Sequence, residues 1–98
     1  MAEVVVIEFD APQAVRIYNE VNKIIGWEGV PGSEAWPTGM ISHMAGEAGD
    51  KLIVVEEWES QAHQEKFMAT VLVPAFKEAN VPQPKRVEWF KSVMNVHR

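Results

Sequence analysis

The pattern of apolar and polar positions divides the first third of the chain into a strand, a helix and a loop. Residues 4–9 form a run of β-branched and aromatic side chains, which is typical of a strand. Apolar side chains then recur at three- and four-residue steps over residues 15–25, which predicts a helix that Gly26 ends. Asp10 stands where the cap of this helix is expected. Residues 27–37 mix glycines and prolines with two tryptophans, a composition typical of a long loop.

A hairpin and a second helix are predicted next. Residues 39–46 and 51–58 are two β-like runs, and residues 47–50 between them contain the Gly-Asp pair of a tight turn. We therefore expect these two strands to pair antiparallel. Ser60 is the predicted cap of an amphipathic helix that extends to residue 79, and Pro74 is expected to kink this helix.

The last segment, residues 86–96, alternates in part between apolar and polar side chains and predicts a final strand. The resulting order, β-α-β-β-α-β, predicts a ferredoxin-like α+β fold with both helices on one face of an antiparallel sheet. Leu52 and Val54 are apolar, but so are Ile53 and Val55, which point to the opposite face. Both faces of the sheet therefore need cover, and a homodimer packed sheet on sheet is the simplest solution.

Composition and charge limit the partners that this chain can have. Its 98 residues fit a single domain, residues 1–98, and the formal net charge of −5 gives no basic face for nucleic acid. The absence of cysteine removes thiol chemistry and disulfides. No apolar stretch is long enough to span a membrane, and the first ten residues do not read as a signal peptide. We expect a cytoplasmic protein whose partners are small molecules or protein.

The motifs of the central segment resemble those of a known family. Gly-Met-Ile-Ser-His at residues 39–43 precedes the hairpin, and Leu-Ile-Val-Val-Glu-Glu-Trp-Glu-Ser at residues 52–60 runs into a helix with Val-Pro-Ala-Phe at residues 73–76. This arrangement resembles the antibiotic biosynthesis monooxygenase superfamily of dimeric α+β barrels, and in particular its small members of unassigned activity. The superfamily includes cofactor-free oxygenases of aromatic polyketides, haem-degrading monooxygenases and muconolactone-type isomerases. A fold does not choose among these chemistries.

The haem-degrading branch fits the residues poorly. It has an asparagine on the first strand and a histidine on the second helix, whereas this chain has Glu8 on that strand and Phe67 and Met68 on that helix. His63 lies too near the start of the helix to take that place. No phosphate-binding glycine pattern and no metal-ligand spacing is visible either. We therefore predict a protein without metal, flavin or haem.

His43 and Glu56 are the candidate catalytic residues. An imidazole changes its charge near neutral pH, so His43 is the best acid/base candidate, although a strand histidine can also hold a structural hydrogen bond. Glu56 shares a strand face with Trp58 by parity, whereas its neighbour Glu57 points to the other face. Glu56 is either a base in partly apolar surroundings or the partner of a cation such as Arg16 or Arg86.

Three further titratable residues are Glu8, His63 and His97. Glu8, on the first strand, is either a second acid/base candidate or an ion-pair partner. His63 is expected either to be solvated at the start of the second helix or to face a pocket, and His97 is expected to be mobile near the terminus.

Aromatic side chains suggest a ligand pocket between the sheet and the helices. Five of them are the predicted ligand-binding residues, although core packing or burial in a dimer explains the tryptophans as well. These five are Tyr18, Trp36, Trp58, Phe67 and Trp89.

Three functions are compatible with such a pocket. The first is a cofactor-independent oxygenase or isomerase-like enzyme that deprotonates a small apolar, aromatic or polyketide-like molecule. The second is a homodimeric protein that binds such a molecule without turnover. The third is a purely structural dimer, which predicts no cavity.

Overall fold

The structure, a computed structural model, describes residues 2–96 and residue 98. The prediction that His97 is mobile lies outside the described residues. The elements, in chain order, are β1 (Glu3–Asp10), α1 (Ala14–Ile25), β2 (Met40–Ala48), β3 (Lys51–Trp58), α2 (Gln61–Phe67), a π-helical segment (Met68–Leu72), α3 (Val73–Ala79) and β4 (Arg86–Lys91). No helix in this part of the chain is long and apolar enough to cross a membrane.

The four strands form one antiparallel sheet in the order β2-β3-β1-β4. The two central strands pair Val5 with Glu56 and Ile7 with Val54, and these side chains face the helices. The predicted ferredoxin-like α+β fold is confirmed. The hairpin between β2 and β3 is tighter than residues 47–50, because both strands extend to a two-residue turn at Gly49 and Asp50.

The start of α1 differs from the prediction. Asp10 pairs with Lys51 as the last residue of β1, and the N–H of Ala11 donates to the Asp50 carbonyl at 2.8 Å, so the backbone here belongs to the sheet. Gln13 takes the cap position instead, with a positive φ of 66° and no side-chain cap bond. The sheet therefore displaces the expected cap by three residues. Gly26 ends the helix as predicted, with φ 73°.

The second helical region, which consists of α2, the π-helical segment and α3, is interrupted ahead of Pro74. Ser60 caps α2 as predicted, and its Oγ accepts the N–H of His63 at 3.3 Å. The expected kink takes the form of the π-helical segment, in which the N–H of Val73 donates to the carbonyl of Met68, five residues back. Proline has no N–H and its ring collides with the carbonyl four residues before it, so a wider turn relieves that clash.

Strand β4 ends at Lys91, five residues before the predicted end, because β1 has no further residue to pair with it. Lys91 pairs with Glu3, the first residue of β1, and the N–H of Ser92 then donates to the Ala2 carbonyl at 2.9 Å. Beyond this point the chain crosses toward β3, where the Asn95 amide donates to both oxygens of Glu57 at 3.0 and 3.1 Å.

The face of the sheet turned away from the helices, which we name the open face, carries apolar side chains at its centre. Val6, Val55 and Met44 lie side by side across three strands, and Met44 is 71% exposed. The open face also carries Val4, Ile53 and Phe90. No helix of the described chain covers this surface.

Candidate functional site

A small cavity, here named the inner cavity, lies between the sheet and the helices. Its volume is about 70 Å³, and α1, β2, β3 and the second helical region all contribute to its walls. Among the described residues, the lining is apolar apart from four side chains, Tyr18, Asn22, His43 and Glu56. These four residues therefore determine what the inner cavity can do chemically.

The strand register brings His43 and Glu56 together. They are directly opposite each other in the β2–β3 pair, and His43 Nδ1 lies 2.8 Å from Glu56 Oε2. The side chain of His43 is 15% exposed and that of Glu56 is 5% exposed. Glu56 shares its face with Trp58, whose Nε1–H donates to the other carboxylate oxygen, Oε1, at 3.1 Å. Both oxygens of this buried carboxylate are thus hydrogen-bonded to rings.

A bulge in β2 decides which way His43 faces. The pairing steps from Met40 directly to Ser42, so Ile41 is left without a partner on β3. Met40 and His43 consequently both line the inner cavity, whereas strict alternation from Met40 would place them on opposite faces.

Tyr18 completes the polar cluster from the helix side. Its hydroxyl lies 2.6 Å from His43 Nε2, and the two rings are stacked with their centroids 5.9 Å apart. Trp27, at the start of the long loop, packs against the same imidazole with a centroid distance of 5.1 Å. His43 is therefore held by Glu56 at one ring nitrogen and by Tyr18 at the other.

The alternative ion pairs expected for Glu56 are not formed. Arg16 instead bonds Gln13 and Glu20 along α1, and Arg86 lies beside Glu8 and Glu88 on the sheet. The partner of Glu56 is a histidine.

Glu8 belongs to a structural ion pair. Its carboxylate lies 2.8 Å from Lys51 Nζ, and this hydrogen bond holds the pKa of Glu8 below its ordinary value. The same bond raises the pKa of Lys51. Glu8 does not line the inner cavity, so its place in the fold favours the ion-pair interpretation.

Of the five predicted ligand-binding residues, the structure places Tyr18 and Phe67 at the inner cavity. Trp58 is fully buried behind Glu56 and is not part of the lining. Trp36 donates its Nε1–H to the Met40 carbonyl at 2.9 Å and stacks on Trp27 at 5.3 Å. Trp36 and Trp58 therefore do not line the inner cavity themselves. They contact residues that do, since Trp36 packs on Trp27 and Trp58 donates to Glu56.

Two larger clefts open to solvent beside the inner cavity. Trp36 and His63 line one of about 610 Å³ between the long loop and α2. Trp89 lines the other, of about 490 Å³, between β4 and the second helical region. Because β4 is the edge strand beside β1, Trp89 is separated from Glu56 by strand β1 and from His43 by strands β1 and β3.

Among the polar residues of the inner cavity, Asn22 was not predicted. Asn22 follows Tyr18 by one helical turn, so the spacing of four residues carries a signal that places both on one helix face. Trp27 lies in an irregular loop, where no periodicity indicates the direction of a side chain. Among the described residues, no group of three or more His, Asp or Glu side chains has an arrangement that could hold a metal ion.

Comparison with known proteins shows the fold. No family model and no curated protein matches the sequence. Among solved structures, a candidate antibiotic biosynthesis monooxygenase of Chloroflexus aurantiacus J-10-fl aligns with a TM-score of 0.69 and 12% identity, covering 99% of this chain and 98% of that one. SnoaB, a cofactor-independent oxygenase of Streptomyces nogalater, aligns with a TM-score of 0.65 and 8% identity, covering 99% and 98%.

A third solved structure contains a ligand. It is the monooxygenase from the gene ActVA-Orf6 of Streptomyces coelicolor in complex with nanaomycin D, with a TM-score of 0.63, 17% identity and coverage of 99% and 92%. This chain thus has the ferredoxin-like fold of antibiotic biosynthesis monooxygenase-like proteins, as the sequence resemblance predicts.

Proposed function

We propose that this chain is a cofactor-independent enzyme that removes a proton from a small, apolar, aromatic molecule, as an oxygenase or isomerase does. The observation that carries this proposal is the hydrogen-bonded chain of Tyr18, His43 and Glu56 in an otherwise apolar cavity. These residues provide a base, His43, and a buried carboxylate, Glu56, that stabilises the protonated imidazole. The apolar walls exclude water and so protect the substrate anion from reprotonation.

The structural neighbours support the oxygenase branch of this proposal. One is described as a cofactor-independent oxygenase, and another is a monooxygenase holding nanaomycin D. In an oxygenase the substrate anion reacts with dioxygen, whereas in an isomerase it takes a proton back at another atom. Both reactions begin with the same proton removal.

The size of the inner cavity requires a wall to move before an aromatic ring enters. A cavity of about 150 Å³ accommodates benzene, and this one has about 70 Å³. Trp27 and Phe67 are half-buried wall residues that border the long loop and the π-helical segment. Their displacement toward solvent enlarges the inner cavity without disturbing the sheet.

The proposal includes a homodimer in which the open faces of two copies pack together. Val6, Val55 and Met44 present a continuous apolar row there, and burying it removes apolar surface from water. A second copy of this sheet brings the same row, so the two surfaces match by symmetry. The catalytic residues lie on the other face of each sheet and are kept apart from this contact.

A proton-exchange assay tests the proposed chemistry. 2-Indanone, a small aromatic ketone with acidic C–H groups, is incubated in deuterated buffer with the protein as purified, and deuterium uptake is followed by proton NMR. We expect exchange above the buffer rate, falling roughly 10²-fold in His43→Ala and Glu56→Gln. His63→Gln is the matched histidine control and is expected to exchange at the wild-type rate.

Two further measurements complete this test. Oxygen uptake during the reaction indicates the oxygenase branch, and its absence with exchange intact indicates the isomerase branch. Elemental analysis and the visible absorption spectrum are expected to show no stoichiometric metal, flavin or haem. Binding of 2-indanone without any exchange contradicts the enzyme proposal and supports the binding-protein alternative.

A further inference from the structure

The hydrogen bonds of the site fix where its protons lie. A tryptophan N–H can only donate, so Glu56 Oε1 is an acceptor toward Trp58, as the oxygen of a carboxylate is. Glu56 Oε2 then accepts from His43 Nδ1, which places the proton of the neutral imidazole on Nδ1. The other ring nitrogen, Nε2, is consequently an acceptor.

The hydroxyl of Tyr18 is already hydrogen-bonded to this acceptor nitrogen. It donates to His43 Nε2 at 2.6 Å, and Glu56 and Trp27 hold the other sides of the imidazole. A molecule in the inner cavity therefore reaches His43 Nε2 only by displacing the phenol, whereas the oxygen of Tyr18 itself has a lone pair to offer.

We propose that Tyr18 is the residue that exchanges a proton with the substrate, with His43 as its base and Glu56 as the residue that orients and stabilises His43. This inference rests on the proposed function and names the reacting atom of the same site. The substrate gives its proton to the Tyr18 oxygen while the Tyr18 proton passes to His43 Nε2. The products are a substrate anion, a neutral phenol and an imidazolium paired with the Glu56 carboxylate, so two protons shift, one net proton passes from the substrate to His43, and no electrons are transferred.

The surroundings of the cluster support this assignment. The titratable side chains that line the inner cavity are Tyr18 from α1, His43 from β2 and Glu56 from β3. The second helical region contributes only apolar side chains to the same lining, including Phe67 and Met68. The imidazolium formed in the reaction thus has one charged partner, Glu56, and the substrate anion is formed against apolar walls.

A spectroscopic experiment tests the proton positions without any substrate. With ¹⁵N-labelled histidine, His43 is expected to show the tautomer protonated at Nδ1. Tyr18→Phe is expected to keep that tautomer and move the Nε2 resonance toward that of an acceptor without a hydrogen bond. In Glu56→Gln the fixed tautomer is expected to be lost. A His43 Nε2 resonance that does not change in Tyr18→Phe overturns the inference.

The exchange assay with 2-indanone tests the catalytic role. Tyr18→Phe is expected to lose roughly 10²-fold in exchange rate, with unchanged binding of 2-indanone. Asn19→Ala, on the exposed side of α1, is the control and is expected to behave like wild type. Wild-type exchange in Tyr18→Phe together with loss in His43→Ala overturns the role of Tyr18 and leaves the proposed function standing. Absence of exchange in the wild-type protein overturns the proposed function, and the ¹⁵N experiment then decides the Tyr18–His43 bond independently.

Discussion

Glu56 is a buried carboxylate whose hydrogen-bond partners are two aromatic rings, and no lysine or arginine among the described residues forms an ion pair with it. His43 and Trp58 each donate to one of its oxygens. Desolvating a carboxylate is costly unless its acceptors are satisfied, so these two N–H groups stabilise the charge that the site needs. Trp58 thus contacts the Glu56 carboxylate at one oxygen while the other oxygen reaches His43.

The pair of Glu8 and Lys51 makes stability depend on pH in a predictable direction. The lowered pKa of Glu8 means that its contribution is present above its ordinary value of 4.5 and is lost as pH falls through the folded-state value. The raised pKa of Lys51 means that its contribution is present below 10.5 and is lost as pH rises through the folded-state value. The pair therefore stabilises the fold at neutral pH.

We expect Lys51→Met to reduce the free energy of unfolding at neutral pH and to have much less effect at an acid pH below the lowered pKa of Glu8, where its carboxylate is protonated. Urea denaturation at the two pH values measures this difference. Lys23→Met, at an exposed position in the last turn of α1, is the matched control. An equal loss of stability at both pH values would contradict the ion-pair explanation.

At the scale of residues, parity predicted part of the site and register decided the rest. Because side chains alternate along a strand, Glu56 and Trp58 were expected on one face, and they lie there. The orientation of His43 depends on the bulge at Ile41, and a shift of one residue moves a side chain to the opposite face. No feature of the sequence around Ile41 signals that irregularity.

Among the elements, the start of β2 and the start of α2 are in tight contact. Gly39 has a φ of 88°, and a Cβ on this residue would lie 2.6 Å from His63 Cδ2. The His63 ring is held in turn by Ser60, whose Oγ lies 2.7 Å from Nδ1. The absence of a side chain at Gly39 thus lets the strand and the helix approach.

Gly39→Ala is expected to cost about 1–3 kcal/mol in the free energy of unfolding, from the positive φ and the collision with His63. Gly46→Ala, at a β2 position with open space, is the control and should stay within about 0.5 kcal/mol of wild type. Thermal or urea denaturation gives both values. His63→Ala in the Gly39→Ala background should restore part of the loss, and equal effects of the two glycine changes would refute this account.

Element order was predictable and element boundaries were less so. Ser60 and Gly26 mark helix ends by local chemistry, a side-chain acceptor and a left-handed residue, and both were predicted. Asp10 has the same local chemistry, but the pairing of β1 with β3 continues through it. A tertiary hydrogen-bond ladder thus overrides a local cap, and the sequence near Asp10 contains no sign of the distant partner.

For the whole molecule, the open face determines the proposed assembly. Val55 lies between Val6 and Met44, at the centre of that face. Val55→Asp is expected to abolish the homodimer, because a buried carboxylate without a partner costs several kcal/mol. Light scattering should give about twice the chain mass of 11.0 kDa for wild type and about the chain mass for the variant.

Val30→Asp, an exposed position in the long loop, adds the same charge away from the open face and is expected to leave the dimer intact. The far-ultraviolet circular dichroism of Val55→Asp should match that of wild type, which separates lost assembly from lost folding. A wild-type protein that is monomeric and folded at micromolar concentration would refute the dimer.

The overall architecture was predictable because alternation and helical periodicity report directly on which surfaces are buried. The apolar residues of β3 at both parities, such as Val54 and Val55, indicated two surfaces to cover, and the helices cover only one of them. The size of the inner cavity had no such signal. It depends on how Phe67 and Trp27 pack against the sheet, and composition does not contain that information.

The N–H of Ser92 donates to the Ala2 carbonyl at 2.9 Å, so the residue before β1 and the residue after β4 lie side by side. In the unfolded chain, residues 2 and 92 are separated by roughly 50–60 Å on average. A donor and an acceptor dye attached at these two positions would therefore show efficient resonance energy transfer in the folded chain and poor transfer in the unfolded one. Since Ser92 directly follows β4, the same pair would also report the detachment of that edge strand while the rest of the sheet stays folded.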